Sequence, residues 1–106
     1  MATGRLGHAD LAAGTNTSLY TVPANTFGIV TLSICNRGNS AISVRVAVAS
    51  AGTPLNSEYI EYDVEVLAKG VLERSGIAMA AGQILVVYSS AANVSAVAMG
   101  IETSTA

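Results

Sequence analysis

Charged residues are scarce in this sequence, and their scarcity restricts what the chain can bind. Only 11% of the 106 residues are Asp, Glu, Lys or Arg, against roughly 25% in soluble domains of average composition. The net charge is −2 and the five basic residues are scattered. Nucleic-acid binding needs a basic patch that neutralises phosphates, so we expect no nucleic-acid partner. Such a low fraction of charged residues predicts a surface of small polar residues, or a surface partly buried against other copies or a partner.

Residue types that build chemical sites are also rare. The single cysteine, Cys35, excludes an internal disulfide, and we interpret it as a small strand residue. The single histidine, His8, has only the distant Cys35 to join it, whereas a metal site needs three or four ligands. Neither residue has the supporting base and orienting group that nucleophilic catalysis requires. We therefore expect no cofactor and no metal.

Long apolar runs are missing as well. No stretch approaches the length that crosses a bilayer, and residues 1–18 lack the apolar core of a signal peptide. We therefore expect a soluble protein made in a cytoplasm, with no membrane partner. The absence of Trp and an aromatic content of 5% weaken the case for a glycan-binding platform.

What the sequence does contain is short alternating runs separated by turn residues. The runs cover residues 18–25, 27–36, 41–50, 57–66, 71–79, 84–90 and 94–102. Seven or eight short strands at such spacing predict a single small antiparallel β-sandwich, either jelly-roll or immunoglobulin-like. Residues 36–40 form a dense turn signal, so we expect the runs on either side of it to make a β-hairpin. In the first of these runs Val30, Leu32 and Ile34 alternate with Thr31, Ser33 and Cys35. In the second, alternation predicts that Ile42, Val44, Val46 and Val48 face the core and that Ser43, Arg45, Ala47 and Ala49 face outward. The run at 84–90 is apolar throughout, as in a strand buried on both faces.

Residues 1–18 contain Gly4, Gly7 and Gly14 but few large apolar groups. A segment of this composition predicts an extended N-terminal arm that a partner surface would fix. The predicted organisation is therefore an arm over residues 1–18 and a β-sandwich domain over residues 19–106.

Four of the seven acidic residues lie within residues 57–66, the stretch SEYIEYDVEV. Strict alternation predicts Glu61, Asp63 and Glu65 on one face of a strand, and Ile60, Tyr62, Val64 and Val66 on the core face. Such carboxylates could hold Ca²⁺ or serve acid–base chemistry, but no Gly-bearing calcium loop accompanies them. The favoured interpretation is a polar outer face, paired with Arg45 or Arg74 of a neighbouring strand.

From about Ala12 to Glu102 the sequence resembles a group of small virion structural proteins of tailed bacteriophages. The resemblance rests on the motifs TVPA, ICNRG, EYIEYD, GVLERSG and VSAVAMGIE in this order. It implies a virion component, either a head decoration (cement) protein or a tail or fibre module. It carries over no catalytic or ligand-binding residue.

We therefore expect a capsid decoration protein that binds and stabilises the shell of the major capsid protein. Its expected location is the virion, on the capsid surface, after synthesis in the host cytoplasm, and copies of the chain would form a dimer or trimer. The alternative is a tail, baseplate or fibre module, including one that binds the host surface. An enzyme, such as a glycosidase using Glu61 and Asp63, is not expected. The candidate partner-contact residues are Arg5, His8, Glu61, Asp63 and Glu65.

Overall fold

The computed structural model describes residues 3–105, and its regular structure is β-strand apart from one turn of 3₁₀-helix. The strands in this range are β1 (Thr3–Leu11), β2 (Thr15–Thr21), β3 (Thr26–Asn36), β4 (Ile42–Ala49), β5 (Tyr59–Val66), β6 (Val71–Met79), β7 (Ile84–Ser89) and β8 (Val94–Ser104). The all-β prediction is confirmed. Within the described range the only helical segment has three residues, and none is long and apolar enough to cross a membrane.

The strands form two four-stranded antiparallel sheets. Sheet 1 has the order β1-β8-β3-β6 and sheet 2 the order β2-β7-β4-β5. Among the described strands only β4 and β5 are neighbours both in the chain and in a sheet. Two interlocked sheets in this order make an eight-stranded jelly roll, which decides between the two predicted sandwich types.

The hairpin predicted around residues 36–40 is wrong. Strand β3 pairs with β6 and β8 in sheet 1, whereas β4 pairs with β5 and β7 in sheet 2. The connection crosses from one sheet to the other, and the buried Asn36 holds it: its side-chain amide donates to the carbonyls of Ser40, Val66 and Leu67. A turn signal therefore marks where the chain reverses, but it does not identify the strand that becomes the neighbour.

The core lies between the sheets and follows the predicted alternation in the central strands. Its fully buried members include Val30, Leu32 and Ile34 of β3, Val44 and Val46 of β4, and Leu85 and Val87 of β7. Burying one such side chain stabilises the fold by about 1.5–3 kcal/mol. The inward positions predicted for β3 and β4 are therefore confirmed, with Val48 only half-buried.

The extended arm is not confirmed. Thr3–Leu11 pairs with β8 at one edge of sheet 1, and Thr15–Thr21 pairs with β7 at one edge of sheet 2, so the proposed boundary at residue 18 falls inside a strand. Glycine here permits close packing: a Cβ on Gly7 would come within 2.2 Å of the Leu19 carbonyl oxygen. Residues 1 and 2 of the predicted arm lie outside the described range.

The two sides of the sandwich are closed differently. Where β1 lies beside β2, Tyr20 of sheet 2 donates a 2.5 Å hydrogen bond to Glu102 Oε2 of sheet 1. Burial, together with this hydrogen bond, raises the pKa of Tyr20 far above its ordinary value. On the opposite side, where β5 lies beside β6, a cleft of about 370 Å³ remains between the sheets. Arg74 lines that cleft.

Candidate interaction surface

The predicted contact residues do not come together in one place. Arg5 and His8 lie on β1, opposite Met99 and Val97 of β8. Glu61, Asp63 and Glu65 lie on β5, at the opposite side of the molecule. The structure thus separates the candidates into one pair on sheet 1 and three acids on sheet 2.

The three acids of β5 do not share a face, so the strict alternation predicted there is wrong. The register of β5 against β4 shifts twice, between the partners of Val44 and Val46 and between those of Val46 and Ala47. Each shift is a β-bulge, which inserts an unpaired residue and changes the side to which later side chains point. Tyr62, predicted in the core, is 56% exposed, and Asp63 has a positive φ of 52°.

Two of these acids are engaged by arginines of neighbouring strands, as the sequence predicted. Asp63 accepts hydrogen bonds from Arg45 of β4 at 2.6 and 3.4 Å. Glu61 accepts one from Arg74 at 2.8 Å, and Arg74 belongs to β6 of the other sheet. The Glu61–Arg74 pair therefore bridges the open side of the sandwich. Within residues 3–105 the side chain of Glu65 makes no hydrogen bond or ion pair, so of the three acids only Glu65 is free to contact a partner.

Large apolar side chains are exposed on the outer face of sheet 1. Phe27 and Ile29 of β3 are 41% and 45% exposed, and Met99 and Ile101 of β8 are 37% and 55% exposed. Ile29 lies directly opposite Ile101 in the register of these central strands. The four side chains, called the apolar patch below, lie on the two central strands, toward the end of the sheet where β3 begins and β8 ends. Neighbouring exposed apolar side chains are typical of surfaces that bind a protein partner.

Charged side chains lie on both edge strands of sheet 1, at the margins of its outer face. Arg5 and His8 lie on β1 at one margin, and Glu73 lies on β6 at the other, opposite Ser33. Among the described residues, the side chains of these three form no hydrogen bond or ion pair. Asp10, also on β1, is different because it is bound to Arg37 of the β3–β4 connection. The outer face of sheet 1 therefore carries the apolar patch on its central strands, an unpaired cation on one edge strand and an unpaired anion on the other.

Part of the outer face of sheet 2, on β4 and β7, is covered by the chain itself. Ala47, Ala49 and Val86 point outward yet are fully buried, because Tyr59 and Ile84 pack against them. This corrects the prediction that Ala47 and Ala49 are exposed. The connection between β4 and β5, residues 50–58, closes back on itself beside this small second core.

The side chain of Glu58 closes that connection through hydrogen bonds to Ser50 and Leu55, an arrangement called the clasp below. Its carboxylate accepts hydrogen bonds from the Leu55 amide at 2.8 Å, the Ser50 amide at 3.1 Å and the Ser50 hydroxyl at 3.2 Å. These bonds, led by the one from the Leu55 backbone, hold the pKa of Glu58 below its ordinary value. A carboxylate thus serves here as a structural clasp.

Arg45 lies at the centre of an aromatic cluster on the same sheet. Its guanidinium carbon is 4.4 Å from the ring centre of Tyr62 and 4.7 Å from that of Tyr88, distances at which cation–π attraction acts. Tyr59 packs edge-on against Tyr62. The hydrogen bond with Asp63 raises the pKa of Arg45 above its ordinary value, and an arginine guanidinium is in any case charged in proteins.

All four edge strands carry β-bulges. The register shifts in β1, β2, β5 and β6, whereas the β3–β8 and β4–β7 ladders of the sheet centres run without a shift. Bulges twist an edge away from pairing with another strand. The edges described by the structure are thus poorly suited to adding a strand from another chain, and the sheet faces become the better candidates for contact.

The remaining candidates for a functional site among the described residues are a metal site and a ligand-binding cleft. Across residues 3–105 there is no group of three or more His, Cys, Asp or Glu side chains placed to hold a metal ion. A second cleft, of about 240 Å³, lies at one end of the sandwich beside Asn36 and Asn93. The side-chain amide of Asn36 is already fully used in holding the chain connections, so this cleft offers little to a ligand.

The alternation does not predict the apolar patch, although the sequence contains a signal for it. Phe27 and Ile29 occupy the same side of β3 as Thr31, Ser33 and Cys35, opposite the side of Val30, Leu32 and Ile34. Met99 and Ile101 likewise continue the outward series that begins with Ser95. Large apolar residues at outward positions of two strands were the signal, but it becomes a patch only when β3 and β8 are known to be neighbours.

Comparisons of this chain with protein-family models, with curated proteins and with solved structures find no match.

Proposed function

We propose that the protein is a bacteriophage virion structural protein, a decoration protein that binds the major capsid protein and stabilises the shell. The observation that carries the proposal is the exposed apolar patch on a chain with few charges. A surface of this kind is costly to leave in water and is stabilised by a protein partner. It suits assembly better than it suits chemistry.

The fold supports this function by analogy. Eight-stranded jelly rolls occur in viral capsid proteins, although lectin domains and cupins share them, and a fold does not by itself imply a function. The sequence resemblance to virion structural proteins of tailed phages points in the same direction. Together these two supports favour a structural part in the virion.

The arrangement of the acids supports a structural role over an enzymatic one. A glycosidase needs two carboxyl groups facing a common substrate. Glu61 is bound to Arg74 across the sandwich, and Asp63 is bound to Arg45 on the outer side of sheet 2. We propose that these carboxylates hold strands together, and that the protein is not an enzyme.

A tail, baseplate or fibre module is the second candidate, and the tyrosine cluster of sheet 2 favours it. Tyr62 is more than half exposed and lies beside Arg45, Tyr59 and Tyr88. Rigid aromatic side chains next to charged groups are frequent in binding surfaces. A host-surface role would place the Tyr62 ring against the ligand.

The copy number and location of the protein on virions of the encoding phage test the proposal. We expect on the order of hundreds of copies, spread over the head by the repeated contacts of a symmetric shell. Quantitative gel analysis of purified virions gives the number, and antibody-labelled electron microscopy gives the place. A few copies confined to the tail would support the second candidate, and absence from virions would overturn both.

A further inference from the structure

We infer that a second copy of this chain covers the apolar patch, giving a two-fold dimer in which the outer faces of two sheets 1 pack together. The two-fold axis runs parallel to the strands, between β3 and β8. The dimer requires only this chain's own surface, while its place on a capsid rests on the proposed function. The inference thus names one partner for the surface described above.

The size of the face is compatible with such a dimer. Four strands at a spacing of about 4.8 Å, each about nine residues long, make a face of about 20 by 30 Å. This is roughly 600 Å² of flat area per partner, before side-chain relief is counted, against about 800 Å² in a standard interface. Because most of the face would have to be used, the dimer is expected to be reversible.

The central apolar row is self-complementary under this axis. Rotation about a line parallel to the strands places β3 of one copy over β8 of the other. Ile29 then lies over Ile101 of the second copy, and Ile101 over Ile29, because the two residues share one row of the sheet. Sheet faces that pack in this aligned way form the interior of natural sandwiches.

The charges at the margins favour this axis over the other in-plane choice. The parallel axis lays β1 of one copy over β6 of the other, since these strands are the opposite edges of sheet 1. His8 then faces Glu73, with which it shares a row through Val97 and Ser33, and Arg5 lies one row away. An axis perpendicular to the strands would lay β1 over β1 and leave Glu73 without a cation.

The bulged edges direct contact to this face as well. Two copies could in principle join by pairing edge strands into a continuous sheet. The four described edge strands are each interrupted by a bulge, which opposes such pairing. Since Ala47, Ala49 and Val86 on the outer face of sheet 2 are already buried by the chain itself, the outer face of sheet 1 is the apolar surface open to a second copy.

Sedimentation equilibrium of the full chain over a wide concentration range tests the inference. We expect a monomer–dimer equilibrium that Ile101→Asp abolishes. Arg5→Glu and Glu73→Lys should each weaken the dimer by about tenfold or more, because each removes attraction twice across the axis. The double variant Arg5→Glu/Glu73→Lys should recover most of the loss. Glu65→Lys, on sheet 2 and also unpaired, is the matched control and should change nothing.

Circular dichroism is the control for folding. We expect each variant to be folded, because all the substituted side chains are exposed. A wild-type chain that stays monomeric at every concentration would overturn the inference, as would a dimer insensitive to Ile101→Asp. Failure of the double variant to recover would overturn the parallel axis.

Binding of the same proteins to capsids separates the two proposals. A dimer that ignores capsids contradicts only the decoration function, whereas a monomer whose capsid binding is lost in Ile101→Asp assigns the patch to the shell.

Discussion

Both sheets of this molecule carry apolar side chains on their outer faces, but those on the central strands of sheet 2 are covered and those on the central strands of sheet 1 are not. On sheet 2, Ala47, Ala49 and Val86 are buried beneath Tyr59 and Ile84. On sheet 1, Phe27, Ile29, Met99 and Ile101 remain exposed. The same chain therefore buries apolar residues on the outer face of sheet 2 with its own side chains and leaves those on the outer face of sheet 1 exposed to solvent.

The difference lies in the connections. The β4–β5 connection is long enough for Glu58 to clasp Ser50 and Leu55, and Tyr59 follows directly as the covering side chain. No comparable connection in the described range lies over the central strands of sheet 1. The covered face contributes to folding, while the uncovered one is available for assembly, and substitutions should separate these two roles.

The largest expected effect contrasts one substitution on each outer face. Val86→Asp places an unpaired charge in the second core and should lower the free energy of unfolding by about 3 kcal/mol or more. Ile29→Asp changes an exposed side chain and should cost less than about 1 kcal/mol. Urea denaturation at concentrations where the chain is monomeric measures both, because dimerisation would add to apparent stability. Similar losses for the two variants would remove the distinction between the faces.

A smaller effect is expected from removing the cover itself. Tyr59→Ala uncovers Ala47 and Ala49 and should lower the free energy of unfolding by about 2 kcal/mol, less than a fully buried aromatic because the ring is half-buried. Tyr59→Phe keeps the packing and serves as the control. Phe27→Ala is the counterpart on sheet 1, expected to change monomer stability by less than about 1 kcal/mol. Urea unfolding curves of the three variants decide the matter, and a larger loss for Phe27→Ala would contradict the prediction.

The sequence predicts much of this fold because its strands are punctuated by turn residues and its central strands alternate. The inward series Val30, Leu32, Ile34 needs no knowledge of neighbours, since the period of a strand fixes the two faces. Pairing is different: β3 and β4 are adjacent in the chain and both alternate, yet a crossing between sheets separates them. Nothing local distinguishes that crossing from a hairpin turn.

The candidate surface was less predictable for a related reason. A bulge depends on the strand opposite, so the series Glu61, Asp63, Glu65 alternates in the sequence while the side chains diverge in the structure. Gly7 belongs to the Gly-rich segment whose composition predicts an extended arm, whereas in the structure it permits the close approach of β1 to Leu19. Ion pairing was easier to foresee, because Arg45 and Arg74 are among the few cations that could meet these acids.

The smallest expected effect concerns the clasp that distinguishes the covered face. The lowered pKa of Glu58 means that its contribution to stability is fully present above its ordinary pKa of 4.5 and is lost as the pH falls through its lower value in the folded protein. We expect the Leu55 and Ser50 amides to lose hydrogen-exchange protection on acidification. In Glu58→Gln the protection should already be reduced at neutral pH and should change little with pH.

Glu65→Gln, on the next strand and without side-chain partners in the described range, is the control that should behave like the wild type. Protection near Ile29 should not depend on Glu58, because no part of this clasp lies over sheet 1. Unchanged protection of Leu55 in Glu58→Gln would show that the cover holds without the clasp, and that Tyr59 packing alone separates the two faces.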